Sequence, residues 1–103
     1  RKISSIESDT DGELVNWNNV FELINTLYAG FYDRLQASFG DVLTPKEKQI
    51  IVLMIAGFST KEISVITGQT TSTIYVRKSS IRKKLGIPEK EDIVIFLREK
   101  TPD

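Results

Sequence analysis

Between Thr44 and Gly86 the chain carries three helix starts and three helix stops, and this punctuation constrains its fold more than any other feature. Thr44-Pro45-Lys46-Glu47 and Ser59-Thr60-Lys61-Glu62 each set a hydroxyl at an N-cap and a Glu at N3, the reciprocal bonds of a capping box. Pro45 adds a preset φ at the first helical position. A third start follows at Thr70 or Thr71, either of which can cap. Gly57, Gly68 and Gly86 close the three segments, with Pro88 beyond the last. Ile50 to Ala56 (IIVLMIA) could by itself be a buried strand, but the flanking caps decide for helix. Three short helices joined by tight corners are therefore predicted, with Ile63 and Ile66 of the middle one facing inward.

Periodicity supplies the rest of the fold. Trp17, Val20, Ile24, Leu27, Phe31 and Leu35 recur at helical spacing, widened by Phe21, Tyr28, Tyr32 and Phe39. A single long amphipathic helix is expected over residues 14–40, capped by Asn16, ended by Gly40-Asp41 and roughly 35 Å long from Trp17 to Phe39. Gly30 inside it costs about 1 kcal/mol relative to Ala. Residues 1–13 are polar and read as a linker. Val52, Ile55 and Ala56 make the helix after Thr44 apolar nearly all round, and such a helix needs a second partner. Either the N-terminal helix packs on that outer face, or it forms a homodimer seam elsewhere. A last helix, Glu89 to Lys100, carries acids in its first turn and bases in its last, as the helix dipole favours. Ile93, Phe96 and Leu97 form its inward face, leaving Val94 and Ile95 as apolar surface. The fold class is all-α: a four-helix helix-turn-helix module over residues 43–103, preceded by one extra long helix.

Composition narrows the chemistry. The chain has no Cys and no His, which removes disulfides, thiol nucleophiles, imidazole bases and Cys/His metal sites together. Carboxylates remain, but they are scattered through caps and linker rather than paired, so no enzyme, cofactor or small-molecule ligand is expected. No apolar run approaches the roughly 18 residues of a membrane span, and a cytoplasmic setting is expected. The sequence starts at Arg1 without Met, as a piece of a longer chain would, and the expected missing part is an upstream sensor or a membrane anchor.

Charge is balanced overall, 14 basic against 14 acidic residues, yet it is segregated. Residues 1–43 hold three bases and seven acids, residues 44–87 eight bases and two acids, and residues 88–103 three bases and five acids. From Thr70 to Ile87 there is no acid at all, while Arg77, Lys78, Arg82, Lys83 and Lys84 fall there. On a helix over residues 71–85, Ile74, Ile81 and Leu85 share one side. Ser72, Tyr75, Val76 and Ser79 occupy the other, a neutral face bordered by charge. That arrangement suits an element that reads base edges while its flanks hold phosphates. A short helix, a tight turn and such a helix make a helix-turn-helix.

The stretch LTPKEKQIIVLMIAGFSTKEISVITGQTTSTIYVRKSSIRKKLGI, Leu43 to Ile87, resembles the LuxR-type helix-turn-helix, also called the FixJ/NarL type. The usual pattern there is LTxREREVLxLxAxGxSxKEIAxxLxISxxTVKxHxxxIxxKLGV. Leu43, Thr44, Glu47, Gly57, Ser59, Lys61, Glu62, Ile63, Thr73, Ile81, Lys84, Leu85 and Gly86 agree outright. The resemblance implies double-stranded DNA as partner, with the third helix of the module in the major groove and the fourth serving dimerisation. By position it places base contacts on Ser72, Tyr75, Val76 and Ser79. Phosphate contacts fall on Lys61, Thr70, Thr71, Lys78, Arg82, Lys83 and Lys84, and homodimerisation on Val94, Ile95 and Arg98. Neutralising about five phosphates would give a salt slope near −4.5 per domain. The departures are Tyr75 for the usual Lys, Arg77 for the usual His, and Thr67 and Gln69 for apolar residues. Tyr75 cannot make the bidentate guanine contact of Arg or Lys, so a different preferred sequence is implied. Arg77 has Glu47 or Glu62 as candidate partners. The competing expectation is a protein-interaction module that keeps this fold without binding DNA.

Overall fold

Both capping boxes form as their spacing predicts. Thr44 Oγ1 accepts from the Glu47 N–H at 3.2 Å while Glu47 Oε1 accepts from the Thr44 N–H at 2.9 Å. Ser59 and Glu62 repeat the exchange at 3.1 and 2.8 Å. Thr70, rather than Thr71, caps the next helix, accepting from the Thr73 N–H at 3.1 Å. In the computed structural model, which describes residues 15–100, these starts and the flanking periodic segments give six helices and no strand among the described residues. They are α1 (Trp17–Leu27), α2 (Phe31–Phe39), α3 (Pro45–Ile55), α4 (Thr60–Thr67), α5 (Thr71–Leu85) and α6 (Ile93–Lys100). The linker expected over residues 1–13 lies outside the described residues.

The single long N-terminal helix is not what forms. Ala29 and Gly30 take φ of 56° and 76°, and the left-handed pair turns the chain back on itself between α1 and α2. Three side-chain bonds hold that corner: Asn25 Oδ1 accepts from the Asp33 N–H at 3.1 Å, and the Arg34 guanidinium donates to the carbonyls of Tyr28 and Ala29. Across the hairpin the Phe21 and Tyr32 rings stack with centroids 3.9 Å apart. The fold-back has a packing reason. α3 is only 11 residues long, about 16 Å at 1.5 Å per residue. A straight helix over residues 17–39 would overshoot it and leave its second half in water. Folded back, Ile24, Phe31 and Leu35 are all buried in one cluster with Ile51, Val52 and Ile55 of α3.

α3 is thus wrapped on two sides. Its outer face meets the α1–α2 hairpin, with Val52 fully buried but Ala56 exposed. Ile50 and Leu53 form a second cluster with Ile63 of α4 and Ile74 of α5. Trp17 packs against both clusters, joining the hairpin to the interior of the helix-turn-helix. α6 also starts later than its charge order suggested, at Ile93 instead of Glu89. Asp92 is its cap, accepting from the Val94 and Ile95 N–H groups at 2.8 and 3.2 Å, so Glu89 and Glu91 belong to the preceding turn. Val94, expected as free surface, packs against the core, whereas Ile95 is 55% exposed.

If the hairpin is part of this core, Leu35→Ala lowers stability by about 2–5 kcal/mol in denaturant unfolding. A loss under about 0.5 kcal/mol, the size of a surface change, would contradict the packing.

Candidate nucleic-acid interface

At about 100° of rotation per residue, α5 divides its side chains by position alone. Ile74 and Ile81 have no exposure, and Leu85 is half-buried beside them. Ser72, Tyr75, Val76 and Ser79 all face solvent, with Tyr75 60% and Val76 67% exposed. A ring and an aliphatic held that far into water, with no charge among the four, make a surface that gains by contact with stacked bases or a thymine methyl. At one end of this face lies the start of α5. Thr70 and Thr71 are exposed there and the first turn contains no acid, so the positive pole of the helix is open to an anion.

The flanking cations are used less for solvent than their sequence implies. Lys84 Nζ lies 2.8 Å from Glu47 Oε1. Lys78 Nζ donates to Thr60 Oγ1 at 2.7 Å, tying α5 to the start of α4. Arg82 Nη1 donates to the Pro88 and Glu91 carbonyls at 2.8 and 2.7 Å, stapling the turn before α6. Arg77 pairs with neither acid considered for it: its Nε donates to Gln69 Oε1 at 2.7 Å. Glu62 is spent on its capping box, and Glu47 on Ser80 and Lys84. Of the cations expected to meet phosphate, Lys61 and Lys83 are the two that are exposed and bonded to nothing else among the described residues.

Glu47, expected in a cap and as a candidate partner of Arg77, keeps the cap and is a hub for Ser80 and Lys84 instead. It is 3% exposed, and its carboxylate accepts from the Thr44 N–H, from Ser80 Oγ at 2.8 Å and from Lys84 Nζ at 2.8 Å. Burial alone would raise its pKa. The bonds from Lys84, Thr44 and Ser80, with the charge of Lys84, outweigh burial and hold it below the ordinary carboxylate value. One side chain therefore closes the N-terminus of α3 and fixes the rotation of α5. Gln69 was likewise unforeseen as a partner for Arg77, although both depart from the family pattern, and paired departures were the available signal.

The remaining expected positions lie on α6, where Ile95 and Arg98 point outward and Val94 is half-buried. Among the described residues no group of His, Cys, Asp and Glu is arranged to hold a metal ion, and no helix is long and apolar enough to cross a membrane.

A short helix docked by a left-handed Gly68 turn against a second helix that is neutral outside and pinned inside defines a DNA-binding domain of the helix-turn-helix class. The profile of the bacterial regulatory proteins of the luxR family matches residues 41–97, more than half of the chain, and the chain belongs to that family. It is also 33% identical over 85 residues to the transcriptional regulatory protein MctR of Rhizobium johnstonii, an overlap of 82% of this chain but 36% of that protein. No solved structure gives a significant match.

A carboxylate with a lowered folded pKa stabilises above its unfolded pKa, and that contribution disappears as pH falls through the folded value. The gap in thermal midpoint between the unsubstituted chain and Glu47→Gln should therefore be widest near pH 7 and shrink as pH drops below the ordinary carboxylate range. A gap independent of pH would remove the charge from this account.

Proposed function

We propose that the chain is the DNA-reading output domain of a longer transcription regulator, with α5 in the major groove of double-stranded DNA. The observation that carries this reading is the exposed neutral face of Ser72, Tyr75, Val76 and Ser79, bordered by the open start of α5 and by Lys61 and Lys83. Phosphates at the N–H groups after Thr70 and Thr71 set the register, and Lys61 and Lys83 hold the strand on either side. Base discrimination falls to Tyr75, Val76 and Ser79, with Ser72 at the rim. Lys84 leaves the phosphate set because the Glu47 carboxylate neutralises it, while Lys78 and Arg82 keep their charge but are drawn back toward the protein by Thr60 and by the Pro88 and Glu91 carbonyls.

That reduction has an energetic consequence. With Lys61 and Lys83 as the two phosphate contacts, about two counterions are released and log affinity falls with log salt at a slope near −2 per domain, short of −4.5. An isolated domain then binds weakly at physiological salt, and two linked copies on paired half-sites recover affinity. Ile95 and Arg98 of α6 are the outward groups available for such pairing. The domain acts by binding rather than by catalysis, under an upstream sensor, in the cytoplasm where its DNA lies.

Selecting bound duplexes from a random pool, then measuring affinity against salt, tests this reading. Lys61→Ala and Lys83→Ala should each weaken every sequence alike and reduce the slope by about 0.9. Tyr75→Ala or Ser79→Ala should instead change which sequence is preferred. Exchange of the two behaviours, or a flat salt response, would overturn the assignment.

A further inference from the structure

Lys78 follows Tyr75 by one turn of α5, and its side chain is half-buried rather than extended toward solvent. Its Nζ makes two contacts of different kinds. It donates to Thr60 Oγ1 at 2.7 Å, and it stands over the Tyr75 ring at 5.8 Å from the centroid. A cation within about 6 Å of an aromatic face is attracted to the ring's negative quadrupole. The Thr60 backbone is set by the start of α4, directly after the Ser59 cap and its box with Glu62. The ammonium is therefore a bracket with one end on a fixed helix start and the other on a ring that is 60% exposed.

Two further observations bear on what this bracket does. Burial, and next the charge of Arg82, pull the Lys78 pKa down against an opposing pull from Asp92. The amine is thus partly stripped of water, and a desolvated cation holds an aromatic face more strongly than a hydrated one. Tyr75 also stands where the family pattern has Lys, so a ring for the bracket to hold is a property of this chain's own sequence. An exposed Tyr left alone would sample its rotamers and lose that freedom on meeting DNA, at a cost in affinity and in discrimination.

We propose that Lys78 is a positioning residue for base reading: anchored on Thr60, it fixes the plane of the Tyr75 ring in the groove and neutralises no phosphate. This rests on the DNA-reading function above and says how its most exposed ring gains specificity.

The experiment compares affinities for the best selected duplex with those for duplexes altered one base pair at a time, each over a range of salt. Lys78→Met, which keeps the stem, and Thr60→Val, which keeps the shape, should each lower discrimination about two- to fivefold at a single base-pair position. That position should be the one affected by Tyr75→Leu. Lys78→Met added to Tyr75→Leu should cost nothing more there, Lys78→Arg should retain discrimination, and the salt slope should not change in any of them. A slope reduced by about 0.9 with equal loss on all duplexes would make Lys78 a phosphate contact and overturn the proposal. So would unchanged discrimination in Thr60→Val, which remains informative even if Lys78→Met does not fold. Absence of any preferred duplex for the unsubstituted chain overturns the DNA-reading function, and the bracket with it, whereas a preferred duplex with a Lys78 slope change overturns the bracket alone.

Discussion

Rotation of α5 about its own axis is the quantity that everything else in this domain depends on. Ile74 and Ile81 set it, because both are fully buried, the first against α3 and α4 and the second in the cluster shared with the hairpin and α6. Glu47 sets it a second time with hydrogen bonds, gripping Ser80 and Lys84 from the start of α3. A helix held on one side by dispersion and on a flank by a buried carboxylate has no remaining freedom to roll. Its opposite side is then presented to solvent by geometry alone, and the neutral face falls there.

The same constraint explains why so few cations are free. A small domain holds its helices with limited apolar surface, and here long basic side chains contribute at the edges. Lys78 reaches α4, Arg82 reaches the turn before α6, and Lys84 reaches α3. Each crosses from α5 to another element, so most of the positive charge in this segment serves as cross-bracing. In the proposed interface the start of α5, Lys61 and Lys83 are left to the strand, an arrangement that puts more weight on base contacts and paired binding than on bulk attraction.

How much of this was legible in the sequence depended on the range of the interaction. Caps are local: Thr44 with Glu47, Ser59 with Glu62 and the glycines Gly68 and Gly86 specify their bonds within four residues and came out as read, while α3 stops at its C-cap Ala56, one residue before Gly57. The division of α5 into inner and outer faces was legible for the same reason, since it follows from spacing. The break at Ala29 and Gly30 was hidden because Leu27, Phe31 and Leu35 keep a helical period straight across it, and Ala carries no turn signal. The partners of Lys78 and Lys84 lie 18 and 37 positions away, and a charge in a sequence does not say whether it ends in water or on a distant hydroxyl. A helix begun at Glu89 makes Asp92 one of its first-turn acids, whereas its short side chain suits the cap itself, the place it takes.

The claim on which the account stands is that the outer side of α5 is the surface that meets a duplex. Following backbone amide resonances by NMR while a selected duplex is titrated in tests it most directly. The account predicts the largest shifts from Thr70 to Ser79 and at Lys61 and Lys83, with the α1–α2 hairpin unmoved. Shifts concentrated on the hairpin or on α6, with Tyr75 and Ser79 unchanged, would contradict it.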